Sequence, residues 1–391
     1  MAIPLFIATL MRERGTTGVQ THVRAFRKYL QEAAVPHELV TPHGAPAWQI
    51  YPVLGMRRGL GFISRSLDVW WYRHWHSELL QAQLKRVLSD GTPVTVYAQC
   101  PLSARAALAA RCSPEQKVVM AVHFNRSQAE EWAEKKMISA GGRFSRRIIA
   151  MERRVLDEVD GLVYLSQYMQ GYLEGEGMVA CGKPSLRIPN FCTIPIPMKS
   201  QFRQPRDLVS IGTLETRKNQ AYLIRVIAEL KKQGQFFTLD LIGDGPDRSV
   251  LERLARELEV MDRVAFLGFR DQAARLLPSY RVYAHAALME NMPYTLIEAL
   301  GCGLPVLAGG VGGVPEIVRD GFEGFHWPLD NPVEGAVYAA RLLRDEDLYV
   351  RLSQQARRRF DENFDTPVVG GRLQRFLCES MHKGPEGESE A

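Results

Sequence analysis

Residues 281–308 read RVYAHAALMENMPYTLIEALGCGLPVLA. Residues 281–285 form an apolar run short enough for one buried strand. Residues 296–302 carry a helix-forming apolar run, and residues 305–308 return to a strand after two glycines and a proline. Strand, helix and strand in so short a space mark an α/β protein with a parallel sheet. Two acids sit eight apart within the stretch. Glu290 follows the first apolar run, and Glu298 stands at the opening of the helical one. An acid ahead of a helix start, with free backbone N–H groups in between, can serve both parts of a phosphorylated sugar. Its hydroxyls need carboxylate acceptors and its phosphates need N–H donors.

The same rhythm extends in both directions. Upstream, strands are expected at 207–211, 238–242 and 264–267, with helices at 220–233, 246–258 and 270–277; downstream, a helix is expected at 313–320. The first half repeats the pattern less regularly. It has strands at 4–9, 94–98, 118–122 and 162–165, helices at 18–32 and 146–159, and a helix start at Ser166. Ile188-Pro189-Asn190 closes that half, and the proline-rich stretch 193–205 reads as a linker. A chain of 391 residues is too long for one core, so the expected domains are 1–195 and 196–365. A C-terminal helix at 366–382 is expected to pack back on the first domain, and the polar tail 383–391 to be disordered.

Composition excludes several classes. The six cysteines are scattered without a Cys-x-x-Cys pair, which argues for a reduced, cytoplasmic protein with no zinc site or disulfide framework. The run 3–10 is too short for a signal peptide or a membrane span. Asp345-Glu346-Asp347 reads as solvated surface, and no Gly-x-Ser-x-Gly nucleophile elbow is present. Residues 1–195 carry 24 Lys and Arg against 16 Asp and Glu, whereas the remainder carries 25 against 28. The basic half therefore suits an anionic membrane surface or a phosphorylated acceptor as well as it suits plain solubility. Within it, Met56-Arg57-Arg58-Gly59-Leu60-Gly61-Phe62-Ile63 and Trp70-Trp71-Tyr72-Arg73-His74-Trp75 interleave cations with large apolar groups. That mixture fits a membrane interface, a lipid-linked acceptor or ordinary core packing far better than nucleic acid.

Other candidate binding positions lie where strands give way to helices. Gly15 and Gly18 flank the turn before the first helix, where a simple turn would explain them as well. Gly212-Thr213-Leu214-Glu215-Thr216-Arg217-Lys218-Asn219 places two adjacent cations at a strand–helix junction, suited to a diphosphate leaving group or to plain solvation. Gly243-Asp244-Gly245-Pro246 reads as a turn, and Phe269 after Gly268 could lie against a base. His123 stands at the C-terminal end of a parallel strand, where open α/β sheets place ligand-binding groups. The glycines of 301–313 mean that backbone rather than side chains lines much of the site.

Together these motifs resemble the large retaining glycosyltransferase family 4, of the two-Rossmann-domain GT-B fold. Glu290 and Glu298 look like its glutamate–seven–glutamate signature. Gly212 to Asn219, Ile242 to Pro246, Phe266-Leu267-Gly268, Gly312 to Glu316 and Ile188-Pro189-Asn190 also match family motifs. The resemblance is strong over residues 160–330 and weaker before them. It implies an α/β, GT-B chain whose two Rossmann-like domains face across a donor-binding cleft. It implies a retaining transferase that moves a sugar from a nucleotide diphosphate sugar, UDP first and GDP next, to a polysaccharide, lipopolysaccharide or lipid-linked acceptor. Glu290 would accept hydrogen bonds from the donor sugar, Glu298 would hold the ribose, and Arg217 and Lys218 would neutralise the diphosphate. Backbone around Asn291, Met292, Pro293, Tyr294, Thr295 and Leu296 would meet the sugar and phosphates. Gly212, Gly18 and Phe269 would border the donor, and His123 would touch the sugar or the reacting centre.

No metal cofactor is expected, the nucleotide sugar being a substrate, and the basic, aromatic N-terminal half suggests peripheral contact with an anionic membrane at its inner, cytoplasmic face. The chain departs from the pattern at Thr213, where arginine is common, and at Asn291-Met292-Pro293, where Gly-Phe-Gly is common. Other GT-B activities, an epimerase or a phosphorylase, and a non-catalytic nucleotide-sugar-binding protein are the alternative readings.

Overall fold

The computed structural model describes residues 3–13, 15, 17–180, 182–194 and 205–382. The side chains of residues 54 and 57–59 are outside that description, as are most of the expected linker and the whole tail from 383. The chain forms two compact units, which divide after Pro189 and again after Val368. Residues beyond Val368 belong to the first unit.

Each unit is built on a six-stranded parallel sheet. The first contains β1 (Leu5–Ala8), β2 (His37–Val40), β3 (Val94–Ala98), β4 (Gln116–Val122), β5 (Gly161–Tyr164) and β6 (Ser185–Arg187), ordered β2-β1-β3-β4-β5-β6. The second contains β7 (Arg206–Ile211), β8 (Leu239–Ile242), β9 (Val264–Gly268), β10 (Tyr280–His285), β11 (Val306–Ala308) and β12 (Gly324–His326), ordered β12-β11-β10-β7-β8-β9. Central strands such as β3 and β8 are buried along their whole length, as a parallel sheet covered on both faces requires.

The helices of the first unit are α1 (Gly18–Glu32), α2 (Ala47–Ile63), α3 (Arg65–Val87), α4 (Pro101–Ala110), α5 (Gln128–Glu134), α6 (Arg143–Glu158) and α7 (Gln167–Gly175). The second unit has α8 (Gln220–Lys232), α9 (Arg248–Glu257), α10 (Tyr294–Gly301), α11 (Val314–Ile317), α12 (Pro332–Arg344) and α13 (Glu346–Asn363), and α14 (Thr366–Arg375) carries the chain back to the first. Helix α1 starts where its sequence says it should. Thr17 caps it by accepting from the Gln20 N–H at 3.3 Å while the Gln20 side chain accepts from the Thr17 N–H at 3.2 Å. It then buries His22, Val23, Phe26 and Leu30 on one face.

Three local expectations change. The expected helix at 270–277 is a 3₁₀ segment, Ala273–Ser279, because Pro278 removes a donor from it. Helix α11 is one turn rather than the expected 313–320. Helix α10 begins at Tyr294, so Glu298 lies in its interior and not at its opening.

Candidate functional site

The second unit gathers most of the expected residues at the C-terminal edge of its sheet. Gly212 follows β7, Gly243 follows β8, Phe269 follows β9, and the loop carrying Glu290 follows β10. Parallel sheets place ligands at this edge, because helix N-termini and loop N–H groups collect there. The backbones of these loops approach closely. The Gly212 N–H donates to the Ile242 carbonyl at 2.9 Å, and a side chain at Gly243, where φ is +145°, would collide with the Gly212 carbonyl. Gly312, with φ +56°, is pressed in the same way against the Glu290 carbonyl, which also accepts from the Gly313 N–H at 3.0 Å. Only glycine fits either place.

Glu290 is the electrostatic centre. Its carboxylate is nearly enclosed, ion-paired with Lys218, and 3.7 Å from Arg217 Nη1. Burial disfavours its charge, but Lys218, through its charge and its hydrogen bond, and then Arg217 outweigh that cost and hold its carboxyl below the usual range. Arg217 also donates to the Met289 carbonyl at 3.2 Å and to Glu215 at 3.0 Å, and its own carbonyl accepts from the Leu288 N–H at 2.9 Å. The short 3₁₀ turn Thr216–Lys218, ending on Asn219 in the left-handed region, turns both cations toward Glu290.

His285 closes the group and went unnoticed in the sequence. It ends β10, lies 3.8 Å from Glu290 Oε1, and is held by burial near pKa 4, so it is neutral at physiological pH. Its Nε2 is buried with no hydrogen-bond partner among the described residues. The same signal that picked out His123, a histidine ending a parallel strand, would have found it.

Helix α10 starts just beyond this cluster. Its N-cap is Pro293, whose side chain satisfies none of the first-turn donors. Asn291 and Met292 are buried, and the Met292 carbonyl accepts from Asn190 Nδ2 at 2.7 Å. Thr295 lies beside the Tyr283 hydroxyl, which also bonds the Ile211 backbone, and Leu296 is fully buried. Glu298 is partly buried near Cys192 and Cys302; burial and then its charge push both thiols up, Cys302 to about 11. Phe269 is exposed beyond Gly268.

Gly18 and His123 belong to the first unit, Gly18 at the start of α1 and His123 just after β4. His123 Nε2 meets Gln99 Oε1 at 3.0 Å, and Gln99 Nε2 donates to the Tyr97 carbonyl at 3.3 Å. That second bond orients the amide, so His123 carries its proton on Nε2. The ring lies edge-on to His22, 4.9 Å between centroids, and burial and His22 together keep His123 neutral. His22, bonded to the Tyr97 hydroxyl at 3.0 Å, was not anticipated either. Among the described residues no three His, Cys, Asp or Glu side chains cluster as metal ligands would.

Known proteins are similar to this chain in sequence and fold. The profile described as Glycosyl transferases group 1 matches residues 196–359, and that of the Glycosyl transferase 4-like domain matches residues 17–181. The chain belongs to the family 4-type glycosyltransferases. Within that family, N-acetyl-alpha-D-glucosaminyl L-malate synthase of Bacillus anthracis is 34% identical over 148 residues, covering 38% of this chain and 39% of that protein. A GDP-mannose-dependent alpha-(1-6)-phosphatidylinositol monomannoside mannosyltransferase of Mycolicibacterium smegmatis is 34% identical over 128 residues, 30% of this chain and 33% of that one. The chain thus spans under two fifths of the length of these curated relatives. Solved folds align far more completely. Anabaena HepE in complex with UDP superposes with a TM-score of 0.68 at 18% identity, over 96% of this chain and 99% of that one. Sucrose-phosphate synthase from Thermosynechococcus elongatus reaches 0.70 at 18% identity with the same coverage. The family 4-type chain therefore has the α/β, two-domain GT-B fold.

Proposed function

We propose that this chain transfers a sugar, of the hexosyl type, from a nucleotide diphosphate sugar to a glycan or lipid-linked acceptor, with retention of anomeric configuration. The observation that carries the reading is the buried, ionised Glu290 beside Lys218 and Arg217, ahead of the open N-terminus of α10. In this reading Glu290 binds sugar hydroxyls, Glu298 the ribose, and Arg217 and Lys218 the diphosphate as negative charge grows on it. The anomeric C–O bond to the diphosphate breaks, and the acceptor oxygen forms the new bond on the same face. The acceptor's proton goes to the departing phosphate. Neutral His123, with Nδ1 free to accept, suits a sugar hydroxyl. Two fixed cations supply the charge that a divalent ion otherwise would, so we assign no metal to the reaction.

UDP is the favoured nucleotide, supported by the UDP complexes of HepE and of the pneumococcal GtfA, which share the fold. GDP comes second, supported by the GDP-mannose-dependent relative. Work at the cytoplasmic face of a membrane suits a lipid-linked acceptor. Among the described residues no helix is long and apolar enough to cross a membrane.

Thermal melting with UDP, GDP, ADP and their sugars tests the donor, since a ligand bound only by the folded state raises its stability. UDP is expected to give the largest shift. Glu290→Gln should lower turnover about tenfold or more with folding intact, because it removes a charged contact to the reacting sugar. Near-normal turnover in that variant would overturn the assignment. An epimer formed from donor alone would show an epimerase instead, and a requirement for inorganic phosphate would show a phosphorylase.

A further inference from the structure

A backbone carbonyl turned toward a phosphate repels it, so loops that hold an anion must present N–H groups and keep their carbonyls elsewhere. The two loops that bring Lys218 and Glu290 together have many of their carbonyls held by donors of the second unit. After β10, the His285 carbonyl accepts from Trp327 Nε1 at 3.1 Å, that of Met289 from Arg217, and that of Glu290 from the Gly313 N–H. After β7, the Ile211 carbonyl accepts from the Tyr283 hydroxyl at 3.2 Å and the Leu214 carbonyl from the Asp247 N–H at 3.0 Å.

Two further carbonyls are held by buried carboxamides. Asn190 Nδ2 donates to the Met292 carbonyl at 2.7 Å, just ahead of α10. Gln220 Nε2 donates to the Thr213 carbonyl at 2.9 Å, in the loop that follows β7. Asn190 is 5% exposed and Gln220 4%. A carbonyl bonded to a buried side chain points into the protein, so neither oxygen faces the open side of its loop. Only the nitrogen end of an amide can donate, which fixes the direction of both side chains. Their oxygen ends, Asn190 Oδ1 and Gln220 Oε1, are buried with no hydrogen-bond partner among the described residues.

Stability alone does not account for these two amides. Burying an oxygen without a partner costs about as much as the single bond at the other end contributes. Position does account for them. The Met292–Pro293 peptide has no N–H, so it can offer an anion nothing but a repelling carbonyl. Thr213 brings no side-chain cation to its loop, so the direction of the backbone dipole there weighs more. Without the amides, the nearest other donor for either carbonyl is water on the open side, and the peptide would turn to meet it.

We propose that Asn190 and Gln220 are positioning residues of the donor site. Each holds a loop carbonyl away from the diphosphate, which then meets Lys218, Arg217 and the N-terminus of α10. Neither side chain touches the donor; both act through the backbone. The proposal rests on the donor reading given above.

The test compares a nucleotide with its nucleoside on the full chain. Asn190→Leu and Gln220→Met keep much of each side chain's shape and remove its donor. UDP binding is measured by isothermal titration and uridine binding by ligand-observed NMR; if the wild type prefers GDP or ADP, that nucleotide and its nucleoside take their place. Each variant should bind UDP about tenfold more weakly than the wild type, the size of one contact to a charged group, and uridine equally well. Melting without ligand reports folding. Should Asn190→Leu fail to fold, the isosteric Asn190→Asp, which cannot donate when ionised, replaces it. Folded variants that bind UDP like the wild type overturn the proposal. So does uridine affinity that falls in step with UDP, because a purely structural role loosens the whole site. A split in only one variant overturns the role of the other residue. A wild type that binds none of UDP, GDP and ADP removes the donor reading itself, and this proposal with it.

Discussion

Lys218 and Glu290 meet across 72 positions of sequence, and what they do for each other is separable from what they do for a substrate. A carboxylate this enclosed stays ionised only because cations face it. Lys218→Met should therefore destabilise the second unit by about 1–3 kcal/mol, since Arg217 at 3.7 Å replaces only part of the lost charge. Combining it with Glu290→Gln should restore most of that loss, because no buried charge is left uncompensated. Urea unfolding of both single variants and the double one measures the coupling. Strictly additive effects would mean that the pair is not coupled in solution. The residue types were readable from sequence, since acid and cation pair both stand at strand–helix junctions. Their partnership was not, because nothing local sets a distance between two loops that only the sheet brings together. His285 escaped for a different reason: it reads as one more apolar-strand residue until burial and Glu290 give it a role.

Among elements, the junction of α5 and α6 carries a titration that activity assays would not reveal. Glu152 on α6 accepts from Ser127 Oγ at 2.6 Å and from the Gln128 N–H at 3.0 Å, tying down the start of α5. Burial raises its pKa to about 7, although Ser127, Arg73 and Gln128 pull the other way. The folded state thus keeps the proton up to about pH 7, while the unfolded chain releases it near the ordinary carboxylate value. Folding takes up a proton between those limits, so stability is highest below the unfolded value and falls as pH rises through the folded one. The loss is at most about 3 kcal/mol and levels off above pH 7. Melting curves of the first unit from pH 5 to 8 should show that decline, and Glu152→Gln should flatten it. A wild type equally stable across the range would refute the titration.

The same scale explains what the sequence concealed. Central strands such as β3, β4, β8 and β10 were legible because burial on both faces makes them continuous apolar runs. Strands β2, β6 and β12 sit at sheet edges, and His37–Val40 or Ser185–Arg187 bury too little to leave a pattern. Helices α2 and α3 were hidden because aromatic groups face outward as well as inward, which erases the helical period.

At the scale of the molecule, the chain leaves its first unit at Pro189 and returns to it at Val369, so the first unit is assembled from two separate stretches of sequence and the second from one continuous stretch. The returning segment is not a loose appendage. Thr95 Oγ1 donates to the Leu377 carbonyl at 2.7 Å, Tyr29 bonds Gln374 at 3.0 Å, and Met381 packs on Gly161. Val369, Leu373, Phe376, Leu377 and Met381 are all buried there. Burying each such side chain is worth about 1.5–3 kcal/mol, so together they match the whole stability of an ordinary domain, about 5–15 kcal/mol. The second unit keeps its own core around Ile224, Leu241, Val282 and Leu342, which includes no residue beyond Val368. Ending the chain at Val368 should therefore abolish the unfolding transition of the first unit and leave that of the second. Since the proposed donor groups Glu290, Lys218, Arg217 and Glu298 all remain, UDP should still raise the surviving transition. Calorimetry of the full and shortened chains, each with and without UDP, reads both outcomes. Two transitions persisting in the shortened chain would show that the first unit folds without its returning segment. Loss of the UDP shift with the second transition intact would show that the donor needs groups from the first unit.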